Sequence, residues 1–263
     1  MNLRVAAGQG TSVSGDLTTN VATAVRLVDR AADAGVRLLV LPEAFLTGYD
    51  EQVFAGPLPD AEDVAWLAPL QEAAVRANGT VVTCLPLLRA GVPRLAMLVA
   101  QPDGRVDFPY DKQHLDGVEK RYFTPGDHGT SLRIEGVELG LSICYDGCFP
   151  EHARAAAADG AIGYLNSAAY FAGGEHRRDV YYAARAVENG MYVVFAGLTG
   201  RCGPNRFIGG SAVYDPEGRA VARLGEEEGL AIAELDPELV AATRARHTML
   251  ADHRGDLGER RYG

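Results

Sequence analysis

The chain has 263 residues, 47% of them hydrophobic, a formal net charge of -10 and a sequence pI near 5.1. Length and apolar content suffice for a full core, read here as one domain over residues 1–263, while the acidity argues against nucleic acid or a membrane surface as partner. No run approaches the roughly 20 apolar residues of a membrane span, and the start "MNLRVAAGQG" lacks a secretory apolar segment, so the expected location is cytoplasmic.

Periodicity gives the elements in chain order. "LRVAAGQ" reads as a strand, followed by a helix over residues 17–34 with Val21, Val25, Val28 and Ala32 on one face and Gly35 as its stop. The strand "RLLVL" comes next, then a helix over residues 61–77 closed by "NG". "TVVTCLPLL" and "RLAMLVAQ" are strands separated by a Gly/Pro turn. After a short strand near "FPYD", "LRIEGVELGLSIC" reads as one extended stretch, followed by an alanine-rich helix over residues 151–158 and the strand "AIGYLN". A long helix spans residues 177–189, and "MYVVFAGL", "GGSAVYD", "RAVARLG" and "GLAIAEL" supply further strands. Helix-linked strands mixed with hairpins at "PDG" and "DPEG" predict an α/β fold with a large mixed sheet system covered by helices.

Three polar residues stand at strand ends, where an α/β chain delivers side chains to a cleft. Glu43 follows a buried strand, with Pro42 expected to stop the ladder before it. Lys112 and Glu119 lie between a short strand and a Pro/Gly turn. Cys144 ends the apolar run "GLSIC". A thiol nucleophile requires a base and a cation that lowers its pKa, and Glu43 and Lys112 offer those roles. The four cysteines form one C-x3-C and two distant singles, which reads as free thiols and not as a zinc site, and neither H-E-x-x-H nor a Gly-rich phosphate loop occurs. No metal and no cofactor is therefore expected.

The segments "LPEAFLTGY", "DKQHL...EKRYFTPG" and "SICYDGCFPE" resemble, in order, the three signature blocks of the nitrilase superfamily of carbon-nitrogen hydrolases. "AARAVENGMYVVFAG", "GGSAVYDPEGRAVA" and "EGLAIAELD" extend the resemblance over nearly the whole chain. It implies a four-layer α-β-β-α sandwich that pairs as a homodimer through the helices beside the site. It also implies a catalytic set of Glu43, Lys112, Cys144 and Glu119 acting on a small-molecule amide: Glu43 as base, Cys144 as nucleophile, and Lys112 with the Tyr145 backbone N–H holding the oxyanion. Glu119 would place the substrate amide or orient the lysine, a structural ion pair being its other reading.

The substrate pocket is expected from Phe45, Tyr49, Tyr145, Asn166, Tyr170 and Phe171. Two departures from the family pattern bear on it. Many relatives read C-Y-D-x-R-F-P-E, whereas Gly147 and Cys148 precede "FPE" here, removing an arginine that could pair with a carboxylate. Arg177 and Arg178 open the long helix where many relatives carry an aromatic, and either could serve as an anion anchor. The expected activity is that of an amidase preferring neutral amides to carboxylate-bearing ones. The alternatives are a nitrilase or N-carbamoyl-amine amidohydrolase, a dyad of Cys144 with His114, His128 or His152, and a non-catalytic binding scaffold.

Overall fold

The computed structural model describes residues 2–259 and 261–263. Buried strands alternate with amphipathic helices. The chain runs β1 (Leu3–Gln9), α1 (Leu17–Asp33), β2 (Leu38–Glu43), α2 (Glu51–Phe54), α3 (Ala68–Ala77), β3 (Thr80–Arg89), β4 (Val92–Ala100) and β5 (Val106–Asp111). It continues with β6 (Ser131–Ile134), β7 (Val137–Ile143), α4 (Pro150–Ala158), β8 (Gly163–Ala168), α5 (Glu175–Asn189) and β9 (Tyr192–Gly197). β10 (Thr199–Cys202), β11 (Asn205–Ile208), β12 (Ala212–Tyr214), β13 (Ala220–Arg223), β14 (Gly229–Leu235) and α6 (Pro237–Arg246) complete it.

Two six-stranded sheets result, in the orders β14-β1-β2-β3-β4-β5 and β13-β12-β9-β8-β7-β6, with β10 and β11 as a separate hairpin. β2 packs across β8 and β9, while α1 and α3 cover the first sheet and α4 and α5 the second. This is the four-layer α-β-β-α sandwich. Strand alternation divides the core accordingly. In β8, Leu165 joins the core between the sheets, whereas Tyr164 joins a second cluster with Tyr182 and Phe195 under α4 and α5.

Several expected boundaries shift. The helix predicted over residues 61–77 begins only at Ala68, after a 3-10 turn at Ala65–Leu67, with Pro69 fitting its first turn. "LRIEGVELGLSIC" is two strands, because Glu135 and Gly136 both take positive φ and turn the chain into a hairpin pairing β6 with β7. Pro42 does not stop its ladder: the register shifts between Val40 and Glu43, and Glu43 still pairs with Cys84. The reading above lacked α6, although Asp236 caps it and Pro237 occupies its first turn.

Leu165 is fully buried between the sheets. Leu165→Ala is expected to cost about 2–5 kcal/mol through the lost methyl groups and the cavity left behind. A denaturant titration that leaves the midpoint unchanged would contradict this placement of the core.

Candidate active site

Both sheets send a residue to the same point. β2 ends on Glu43 and β7 on Ile143, and the next residue in each case, Ala44 and Cys144, adopts a left-handed backbone with φ of 51° and 42°. For an L-residue this costs roughly 1–2 kcal/mol, so surrounding contacts must hold it. Lys112 follows β5, its N–H donating to Leu95 O at 2.8 Å and its carbonyl accepting from Gly126 N at 2.9 Å. Gly126 is required there, since a Cβ would lie 2.2 Å from Asp111 O. Glu119 sits in a 3-10 turn, Gly117–Arg121, capped by Asp116.

Lys112 is the hub. Its Nζ donates to Glu43 Oε1 at 2.8 Å and to Glu119 Oε1 at 2.7 Å, and all three side chains are at most 1% exposed. Glu119 also accepts from Tyr49 Oη at 2.8 Å and, through Oε2, from Asp116 N at 2.7 Å. Glu43 Oε2 makes no well-formed hydrogen bond. The Cys144 thiol lies 3.9 Å from Ala169 O, to which it can donate weakly.

Electrostatics follow from one cation facing two carboxylates. Burial works against the Lys112 ammonium, but Glu119 and Glu43 together raise its pKa well above the ordinary value, so it stays charged. Burial pushes the Glu43 carboxyl up to about 8, Lys112 pulling the other way and Glu119 adding to the rise. The expectation of a cation-lowered thiol is corrected. Burial and then Glu43 raise the Cys144 pKa well above its usual range, outweighing Lys112, whose charge the carboxylates have already balanced. The thiol therefore waits as S–H beside the Glu43 carboxyl.

Cys144 opens on a cavity of about 310 Å³, lined also by Tyr49, Asp116, Glu119, Tyr145, Tyr170 and Phe171 among others. Two expected pocket residues lie elsewhere. Phe45 is fully buried and packs against Gly10, because the turn at Ala44 rotates it into the core. Asn166 is buried behind the Cys144 turn, facing α5. The two arginines separate: Arg177 lines the cavity, whereas Arg178 is buried, with Nη1 donating to Gly209 O at 2.9 Å and Nε to Asp179 at 2.8 Å. Arg178 is thus a structural arginine, not an anion anchor.

Among the described residues no histidine hydrogen-bonds to the thiol. His114 binds Asp146 at 2.9 Å, His152 lies between Tyr110 and Tyr164, and His128 pairs with Asp127 on the surface. Cys148, noted above as a departure from the family pattern, lines the cavity; Asp116 and Tyr181 line it without having been expected there, and loop residues such as Asp116 carry no periodic signal that would expose them. Among the described residues no group of three or more His, Cys, Asp or Glu could hold a metal, and no helix is long and apolar enough to cross a membrane.

Removing the hub should be costly. Lys112→Met leaves two buried carboxylates uncompensated and is expected to destabilise the fold by about 3–5 kcal/mol near neutral pH. Glu43 already has a raised folded pKa and loses the pull of Lys112 that opposes the rise, so the variant folds most readily with Glu43 protonated, and the deficit should shrink as pH falls. Denaturant titrations of both proteins across pH check this; a pH-independent deficit would contradict it.

The chain is similar to known proteins over nearly its whole length. A family model described as carbon-nitrogen hydrolase matches residues 4–245. The deaminated glutathione amidase of Escherichia coli is 34% identical over 261 residues, covering 95% of this chain and 97% of that protein. The 2-oxoglutaramate amidase of Bacillus subtilis is 31% identical over 223 residues, covering 84% and 86%. An amidase from Nesterenkonia sp., caught with the acetamide moiety of fluoroacetamide added covalently to its active-site cysteine, superposes with a TM-score of 0.85 at 33% identity, covering 96% of this chain and 94% of that one. With a family model spanning nearly its whole length and a four-layer fold shared with these amidases, the chain belongs to the carbon-nitrogen hydrolases of the nitrilase superfamily.

Proposed function

We propose that this hydrolase is an amidase that converts a small primary amide to carboxylate and ammonia through a thioester on Cys144. The observation that carries this reading is the buried Glu43–Lys112–Glu119 ion cluster beside a neutral thiol at the cavity wall. Glu43 takes the thiol proton as Cys144 attacks the amide carbon. Lys112 and the Tyr145 N–H hold the oxygen that becomes negative. Collapse breaks the C–N bond, and protonated Glu43 gives its proton to the leaving nitrogen, so ammonia departs. A water deprotonated by Glu43 then attacks the thioester, and the thiol recovers the proton as the carboxylic acid leaves. Glu119, fixed by three donors, keeps Lys112 aimed and offers an acceptor to the amide N–H₂.

A cavity of about 310 Å³ lies at the small end of ligand sites and suits a short acyl group. Its aromatic walls favour neutral substrates. Arg177 could meet a carboxylate, but Asp116 and Glu119 line the same space and repel one. Matched neutral amides are therefore expected to exceed carboxylate-bearing ones by about tenfold in kcat/KM, one charge-assisted contact's worth. A strong preference for the acids, lost in Arg177→Gln, would overturn this choice. Nitriles and carbamoyl amines in the same panel test the neighbouring chemistries. Pairing of two copies through α4 and α5 belongs to the same reading, supported by Val180 and Val187, which are 49% and 45% exposed on α5.

Cys144→Ala and Glu43→Gln are each expected to abolish ammonia release while retaining the fold, one lacking the nucleophile and the other the base. Undiminished turnover in either would sink the mechanism.

The pH profile gives a separate check. Glu43 must be ionised to act, and its raised pKa means that kcat/KM should climb with pH through about 8, not near the ordinary 4.5. Glu119 contributes to that rise, so Glu119→Gln is expected to move the acid limb to lower pH even as it lowers activity. An acid limb unmoved in that variant would count against the coupling.

A further inference from the structure

The amide joining Cys144 to Tyr145 carries the Cys144 carbonyl on one side and the Tyr145 N–H on the other, because a planar trans peptide points them in opposite directions. Whatever fixes the carbonyl also aims the N–H. The carbonyl oxygen lies 3.3 Å from Tyr182 Oη on α5 and 3.5 Å from Asn166 Nδ2 on β8. The orientation of Asn166 follows from its neighbours. Ser142 Oγ gives its single proton to Leu165 O at 2.8 Å, so it can only accept from Asn166 Nδ2, also at 2.8 Å. That leaves Asn166 Oδ1 to accept from Tyr182 Oη at 2.7 Å, and directs the second Nδ2 proton to the Cys144 carbonyl.

The rest of the turn is held from the same side. Arg185, one turn further along α5, donates from Nε to Gly147 O at 2.9 Å and from Nη2 to Cys148 O at 3.0 Å. Gly147 allows this closeness: a Cβ there would lie 2.7 Å from the Tyr182 ring and 3.1 Å from Asn166 Nδ2. Tyr182, Asn166 and Arg185 are all buried, and none of the three lines the cavity.

We propose that Asn166 and Tyr182, backed by Arg185, are positioning residues for the oxyanion-binding peptide: Tyr182 fixes Asn166, and Asn166 holds the Cys144 carbonyl toward α5, so that the Tyr145 N–H faces the cavity. The hydrogen bond from Asn166 to the carbonyl also polarises that amide and strengthens its N–H as a donor. The assignment rests on the amidase reading above and adds to it a cause for the strained backbone at Cys144.

Two reactions of the same thiol separate this role from a merely structural one. Iodoacetamide is attacked at an sp³ carbon with loss of iodide, and no oxyanion forms. Propionaldehyde adds reversibly: the sulfur bonds to the carbonyl carbon, and the carbonyl oxygen takes the charge and then the thiol's proton, as in acyl transfer. In Tyr182→Phe, the iodoacetamide rate at Cys144 is expected to stay within about twofold of wild type. Propionaldehyde protection against that alkylation should weaken about tenfold, and kcat on an amide should fall about tenfold with KM little changed. A tenfold change corresponds to roughly 1.4 kcal/mol, one hydrogen bond.

Unchanged aldehyde affinity, or losses of alkylation and aldehyde affinity in proportion, would overturn the proposal. If Tyr182→Phe does not fold, Arg185→Lys, which keeps the charge but loses the paired donors, should show the same pattern at smaller size. A wild-type thiol that alkylates readily yet binds no aldehyde would instead contradict the acyl-transfer reading itself.

Discussion

A single ammonium shared by two carboxylates, all three out of water, is the constraint to which the rest of this molecule conforms. At an effective dielectric of about 20, each contact is worth roughly 4–6 kcal/mol, while desolvating each ion costs several kcal/mol. Stability alone does not favour such a cluster over apolar side chains. What the cluster does is set protonation: Lys112 stays charged, Glu43 is held near the point where it can both take and return a proton, and the thiol remains neutral beside it. A base of that kind can serve both halves of a thioester cycle.

The sandwich is the means of assembling the cluster. Glu43 comes from the end of β2 in one sheet and Cys144 from the end of β7 in the other, so the two meet because the sheets pack face to face. Both strands are left through a non-glycine residue with positive φ. The strain, roughly 1–2 kcal/mol at each, is sustained by the buried shell around it. For the Cys144 turn that shell comes from β8 and α5, and a helix that covers a sheet thereby also holds the backbone beside the cavity.

The sheet strands and their helix cover were legible in the sequence because each carries a strong period. Glu43, Lys112, Glu119 and Cys144 were legible because charged groups and a thiol at the ends of apolar runs are unusual, and because their three blocks resemble one family. Orientation was less accessible. Phe45 follows a left-handed residue, and nothing in "PEAFL" announces that Ala44 reverses the chain. Asn166 could have been placed: strand alternation puts it on the face of Tyr164, away from the opposite sheet. The stripe Arg178, Tyr182, Arg185 and Asn189 was likewise visible as polar residues at helical spacing on the buried face of α5. Several of their partners are backbone carbonyls, which leave no trace in side-chain patterns. The raised thiol pKa was out of reach of sequence, since it depends first on burial at the cavity wall and then on how two carboxylates divide one cation.

The proposed reaction requires a covalent acyl group on Cys144, formed with Glu43 as base. The most direct measurement is acid-quenched intact-protein mass spectrometry during turnover of a small primary amide, followed by peptide mapping. The prediction is a mass gain equal to the acyl group less one hydrogen, confined to the peptide carrying Cys144 and accompanied by one equivalent of ammonia per site in the first turnover. Ammonia release without any adduct, or an acyl group mapped to Cys148 and not to Cys144, would contradict it.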